Sequence, residues 1–184
     1  MKRITLIFAL LLLSTQLAIG QKYLTRNGHI RFFSHTPVED IEAHNYQVTS
    51  VLDTESGNLV FAVLMKAFQF EKALMQEHFN EKYVESDQFP KAEFKGKIVN
   101  LDEVDFATDG IYPVTVKGEI TLHGITQPLE TEGTVTVRGD KIEAKAVFPI
   151  MIADHEIEVP GVVREKIAEA VETTVEMAYE PYGG

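Results

Sequence analysis

The sequence predicts a mainly β domain, an antiparallel barrel or sandwich with one inserted α-helix and a short helical turn near the C-terminus. Three observations predict it. Most of the chain beyond residue 20 alternates apolar and polar residues with a period of two. Turn signals recur between the alternating runs. One stretch, 71–84, switches to helical period.

The elements follow in order. Residues 29–34 read as a short strand with Phe32 and Phe33 on opposite faces. The run 46–53 places Tyr46, Val48, Ser50 and Leu52 on one side, and Glu55-Ser56-Gly57-Asn58 turns the chain into 59–65. That second run is apolar on both faces: Leu59, Phe61, Val63 and Met65 on one, Val60, Ala62 and Leu64 on the other. Such a strand is expected to be covered twice, by the core and by a helix or a partner. In 71–84, Leu74 with His78, and Met75 with Phe79 and Tyr83, form one apolar stripe expected to cover the barrel or its mouth. Pro90 ends it, and strand period returns over 92–101, where Ala92, Phe94 and Ile98 share a face.

The second half alternates most regularly. Val114, Val116, Ile120 and Leu122 share one face; after His123-Gly124 come Leu129, Val135 and Val137. Arg138-Gly139-Asp140-Lys141 is a tight turn into Ile142, Ala144, Ala146, Phe148 and Ile150. Residues 165–177 fit helix or strand, and the β-branched run at 171–175 decides for a strand preceded by a short helical turn. An interior of about eight strands can be filled by side chains or hold one ligand.

The first twenty residues carry their own message. Lys2 and Arg3 precede an apolar run, then Ser14-Thr15-Gln16 and the small residues Ala18-Ile19-Gly20. This order predicts a secretory signal peptide over 1–20 and an exported domain over 21–184, periplasmic or alternatively extracellular. The apolar run falls short of the ~20 residues that span a bilayer, so a membrane anchor is the weaker alternative. Removing that segment moves the formal charge from −11 to −13. So acidic a chain argues against nucleic-acid partners and against electrostatic docking on anionic lipid. The cysteine count of zero excludes thiol chemistry, disulfides and Cys-based metal sites.

Candidate chemistry is sparse. His78 and Glu81 stand one helical turn apart, but two ligands do not make a metal site, and a local hydrogen-bond role is the plainer reading. Glu39, Asp40 and Glu42 crowd together without the spacing of a calcium loop and read as a solvated acidic loop. Ser34 and Ser56 lack a nucleophile elbow. Asp154-His155-Glu156 reads as a loop or a charged rim. No catalytic residue, metal or cofactor is expected.

Taken together, several blocks resemble the YceI-like family: Gly28-His29-Ile30-Arg31-Phe32-Phe33-Ser34 with Thr36-Pro37-Val38-Glu39-Asp40, then Leu74-Met75-Gln76-Glu77-His78-Phe79-Asn80-Glu81 with Phe94-Lys95-Gly96, then Gly118-Glu119-Ile120-Thr121-Leu122-His123-Gly124. The resemblance spans nearly all of the chain after residue 20. It implies a lipocalin-like barrel, exported from a bacterial cell, that holds a polyisoprenoid, quinone tail or fatty acid or amide in its interior without catalysis; members of the family often pair as dimers, which makes a homodimer one option here. A ligand-free structural or stress-protective barrel, and a quinone-presenting accessory of electron transport, stand as alternatives. Strand parity and the inward turn of the hairpin's exit place an apolar tunnel along Phe61, Val63, Phe68, Phe70, Leu74, Phe94, Val116, Ile120, Leu122, Val135 and Phe148. His123 is either a head-group contact at the mouth or a turn residue in water.

Overall fold

A computed structural model describes residues 22–182, so the expected signal peptide lies outside the described residues. The strands are β1 (Lys22–His35), β2 (Asp40–Asp53), β3 (Asn58–Leu64), β4 (Gln69–Phe70), β5 (Lys91–Ile98), β6 (Gly110–Leu122), β7 (Ile125–Arg138), β8 (Lys141–Met151) and β9 (Ala170–Tyr182). The helix α1 (Ala73–His78) continues into a π-helical turn, Phe79–Tyr83. It begins two residues later than its apolar period suggests, because Lys72 keeps extended backbone. Ahead of β9, Gly161–Lys166 forms the expected helical turn, of the 3₁₀ kind.

All pairings are antiparallel, in the order β1-β9-β8-β7-β6-β5-β3-β2, and β1 pairs back to β2. Eight strands therefore close on themselves and leave no free edge. The two-residue β4 only extends the start of β2, through Ala43–Phe70 and His44–Gln69. Strand β1 is far longer than its alternation shows, because register shifts between Thr25 and Ile30 break the period and bend the β1–β2 pair.

Two local features shape the wall. His123 and Gly124, with φ of 51° and 76°, form the tight turn from β6 to β7. Gly96 and Gly118 face each other across β5 and β6. A Cβ on Gly118 would meet the Phe94 ring at 2.7 Å, so the missing side chains are what let that ring lie along the wall.

The interior divides into two ends. Where β1 begins and β9 ends, Leu52, Ile142, Val137 and Tyr179 are almost wholly buried and form a packed floor. At the opposite end, α1, the β1–β2 connection and the 3₁₀ segment before β9 surround an opening. Among the described residues nothing supplies the second cover expected for β3: Leu59 and Val63 are buried inward, but Val60 and Leu64 are each 42% exposed on the outer face. The helix packs at the barrel's mouth and leaves that outer row alone.

Candidate functional site

The barrel encloses a cavity of about 540 Å³. Its wall is built by the inward rows that strand alternation supplies. Phe61 and Val63 come from β3, Phe94 from β5, Val116, Ile120 and Leu122 from β6, Val135 from β7 and Phe148 from β8. Phe68 and Phe70 join them from the segment that leads into α1, and Leu74 from the first turn of α1 itself. All eleven residues expected along a tunnel border this one cavity, spread around its circumference. Leu74 differs from the rest in being 61% exposed: it sits on α1 at the rim and is not packed into the interior.

The upper wall is aromatic. Phe79 packs against Phe32, Phe68 and Phe70 with ring centroids 5.5, 5.6 and 5.1 Å away. Phe32 also touches Phe68 and Phe70, at 5.3 and 5.5 Å. Such rings contribute large apolar area, and tilted pairs add specific contact energy. This cluster fastens α1 to β1 beside the opening. Lower in the barrel, the Phe61 and Phe94 rings meet edge-on at 5.9 Å.

The rim holds charged groups that sequence reading did not assign to the site. Glu39, Lys72, His78 and Lys166 all border the cavity. Glu39 accepts a hydrogen bond from Lys72 at 3.0 Å, while Lys166 lies 3.7 Å from its other oxygen. The hydrogen bond from Lys72 holds the Glu39 carboxyl below the usual carboxylate range. No spacing rule could reveal this group, because its members are far apart in the chain. The reading of Glu39, Asp40 and Glu42 as one acidic loop is corrected too. Asp40 turns to His35, at 2.6 Å, and Glu42 binds Arg31 at 2.8 Å, so the three carboxylates point to separate partners. His78 borders the cavity, a place that the expectation of a local hydrogen-bond network does not describe.

His123 is not on the cavity wall, and it is not free in water either. Its Nδ1 faces the His155 carbonyl oxygen at 3.0 Å and its Nε2 faces Glu85 at 2.9 Å. Both nitrogens are committed to the protein, which leaves neither for a head group. The segment around His155 is a structural tie, neither loop nor rim. His155 is buried and donates to the Ile125 carbonyl at 3.1 Å, and Gln127 donates to the Asp154 carbonyl at 2.7 Å. Ser34, likewise buried, accepts a hydrogen bond from the Ala168 backbone at 2.8 Å.

Fold and cavity together define a closed, one-ended antiparallel barrel with an apolar interior. The family model described as YceI-like domain matches residues 23–179, and the chain belongs to that family. No curated protein matches the chain. Among solved structures, it is similar to a polyisoprenoid binding domain from Saccharophagus degradans implicated in plant cell wall breakdown, with 14% identity, a TM-score of 0.76, and 88% of this chain and 99% of that one covered. BcnA of Burkholderia cenocepacia is similar at 13% identity and a TM-score of 0.68, covering 82% and 95% of the two chains. The YCEI protein of Campylobacter jejuni follows at 11% identity and 0.62, covering 82% and 90%. At these identities the likeness establishes the fold.

Proposed function

We propose that this protein is an exported, periplasmic carrier or sequestering protein that holds a long apolar chain inside the barrel. The observation that carries the reading is the cavity itself. Its volume of about 540 Å³ falls within the range of small-molecule sites, ~300–1,000 Å³. Protein interiors normally pack shut, and an unfilled void costs roughly 24 cal/mol per Å³. Open at its mouth, a space of this size holds water against apolar walls, which is unfavourable. A chain of CH₂ groups relieves that cost, at ~0.8 kcal/mol for each group removed from water. Aliphatic and phenyl side chains dominate the wall, which suits binding and not chemistry. The name of the Saccharophagus neighbour supports an isoprenoid among the ligand classes.

Mass spectrometry of organic extracts from protein purified from its own host tests the reading. A stoichiometric polyisoprenoid, quinone or fatty acyl species is the expected result. Protein that is repeatedly lipid-free, and that takes up no apolar probe, would instead support a structural barrel.

A further inference from the structure

On the reading that the cavity holds an apolar chain, we infer that Lys72 and Lys166 form an anion-binding pair at its mouth, so that the ligand is an amphiphile with a negatively charged head, a carboxylate or a phosphate ester. The floor is closed by Leu52, Ile142 and Tyr179, all almost wholly buried. A polar head therefore cannot sit at the bottom without losing its hydration, and it stays at the rim. There it meets the two lysines.

The geometry already accommodates an anion. Glu39 presents one carboxylate oxygen to Lys72 at 3.0 Å and the other to Lys166 at 3.7 Å. Two ammonium groups on separate segments thus converge on a single two-oxygen anion, the form that a ligand's carboxylate or phosphate would take. The cluster keeps one net positive charge in a chain whose formal charge is −11. Each ammonium has three donors, and Glu39 engages only part of them. Fold stability does not account for the convergence, because ion pairs between exposed lysines and a carboxylate contribute little. Lys72 and Lys166 are 60% and 49% exposed at their side chains, open to an arriving head group, whereas Glu39 is only 22% exposed. Glu39 is then an internal competitor that holds the lysines in place until a ligand anion shares or displaces it.

The test is displacement of N-phenyl-1-naphthylamine, a neutral apolar fluorophore, from the full chain by dodecanoate, dodecyl phosphate or dodecanol. These competitors share a tail and differ in the head. A charge-assisted contact predicts that the anions outcompete the alcohol by about tenfold or more at neutral pH. In the K72Q/K166Q double variant that advantage disappears while dodecanol is unaffected. In Glu39→Gln it grows, because the competing carboxylate is gone; a role limited to bracing the rim predicts the opposite sign. Whichever anion competes better names the head chemistry. Equal competition by all three in the unaltered protein overturns the inference while leaving the apolar cavity standing. A K72Q/K166Q protein that loses dodecanol equally overturns it as well. Failure of the fluorophore and of every competitor to bind overturns the cavity reading and this inference with it.

Discussion

The hydroxyls of Tyr179 and Ser50 lie 2.7 Å apart at the barrel floor, both almost completely buried. Ser50 spends its own proton on the Val60 carbonyl at 2.9 Å, so the phenol donates to Ser50 Oγ. Burial raises the Tyr179 phenol well above its ordinary range, which keeps it a donor. The pair predicts an asymmetry. Tyr179→Phe removes one donor from a serine that keeps its other bond and should cost ~0.5–1.5 kcal/mol. Ser50→Ala strands a buried phenol and should cost more, ~1–3 kcal/mol. The double variant should recover part of that loss. Urea unfolding of the three proteins checks the order, and an equal cost for both single variants would contradict it.

Gly124 is the least replaceable residue of the β6–β7 turn. Its φ is +76°, and an added Cβ would lie 2.6 Å from Phe89 Cε1. Gly124→Ala therefore combines left-handed strain with a clash, about 1–3 kcal/mol in all. Phe89 also meets the His123 ring edge-on at 4.7 Å, so a shift of Phe89 would disturb His123 and its bond to Glu85. Thermal unfolding should show a lowered midpoint for Gly124→Ala and almost none for Gly139→Ala beyond its own φ strain, since nothing lies near a Cβ there.

Acid should weaken the outer face of β1, β2 and β9. Glu176 is held below the ordinary carboxylate value by Lys145 and then His29; Glu42 is held down by Arg31. A lowered folded pKa stabilises the fold above the ordinary value of 4.5, and the contribution is lost as pH falls below it. Both groups are partly exposed, so the effect is small, at the ~0–1 kcal/mol scale of surface pairs. Urea midpoints should fall between pH 6 and pH 3 by less in E42Q/E176Q than in the unaltered chain. Equal falls would mean that other carboxylates carry the acid sensitivity.

A homodimer through the outer row of β3 is a prediction that sedimentation tests. Val60 and Leu64 are 42% exposed on a sheet face that reads as buried from composition alone. A homodimer at this face predicts sedimentation as a dimer at micromolar concentration and as a monomer in V60K/L64K. A monomer in the unaltered protein would make the row ordinary apolar surface.

Strand parity made the cavity wall readable, because alternation fixes which side chains turn inward once a strand is recognised. Val116 and Ile120, two apart twice over, needed no other information. The mouth was not readable. Glu39, Lys72 and Lys166 come from three connections whose meeting depends on barrel closure, and a local pattern cannot encode it. Leu74 shows a different limit: helical periodicity found the apolar stripe but could not tell a rim position from a packed one. For His123 the pattern found the turn, whereas the partners Glu85 and His155 came only with the fold.

Filling the barrel is the most direct test of what the cavity is for. Ile120 lies opposite Phe94 in the β5–β6 register and faces the void, with the Gly96–Gly118 pair one step further along the same inward row. A tryptophan at 120 would project into space that is empty of side chains, so it need not force the overpacking cost of ~1–3 kcal/mol that a filled core exacts. Ile120→Trp should therefore keep its unfolding midpoint within a few degrees while losing co-purifying lipid and N-phenyl-1-naphthylamine binding. Ile142 provides the contrast, since it is 1% exposed in the packed floor. Ile142→Trp should destabilise the fold. Two variants with equal losses of stability would mean that the interior is packed through its length. A stable Ile120→Trp that still carried lipid would place the bound chain along another wall, nearer Phe148 and Val171.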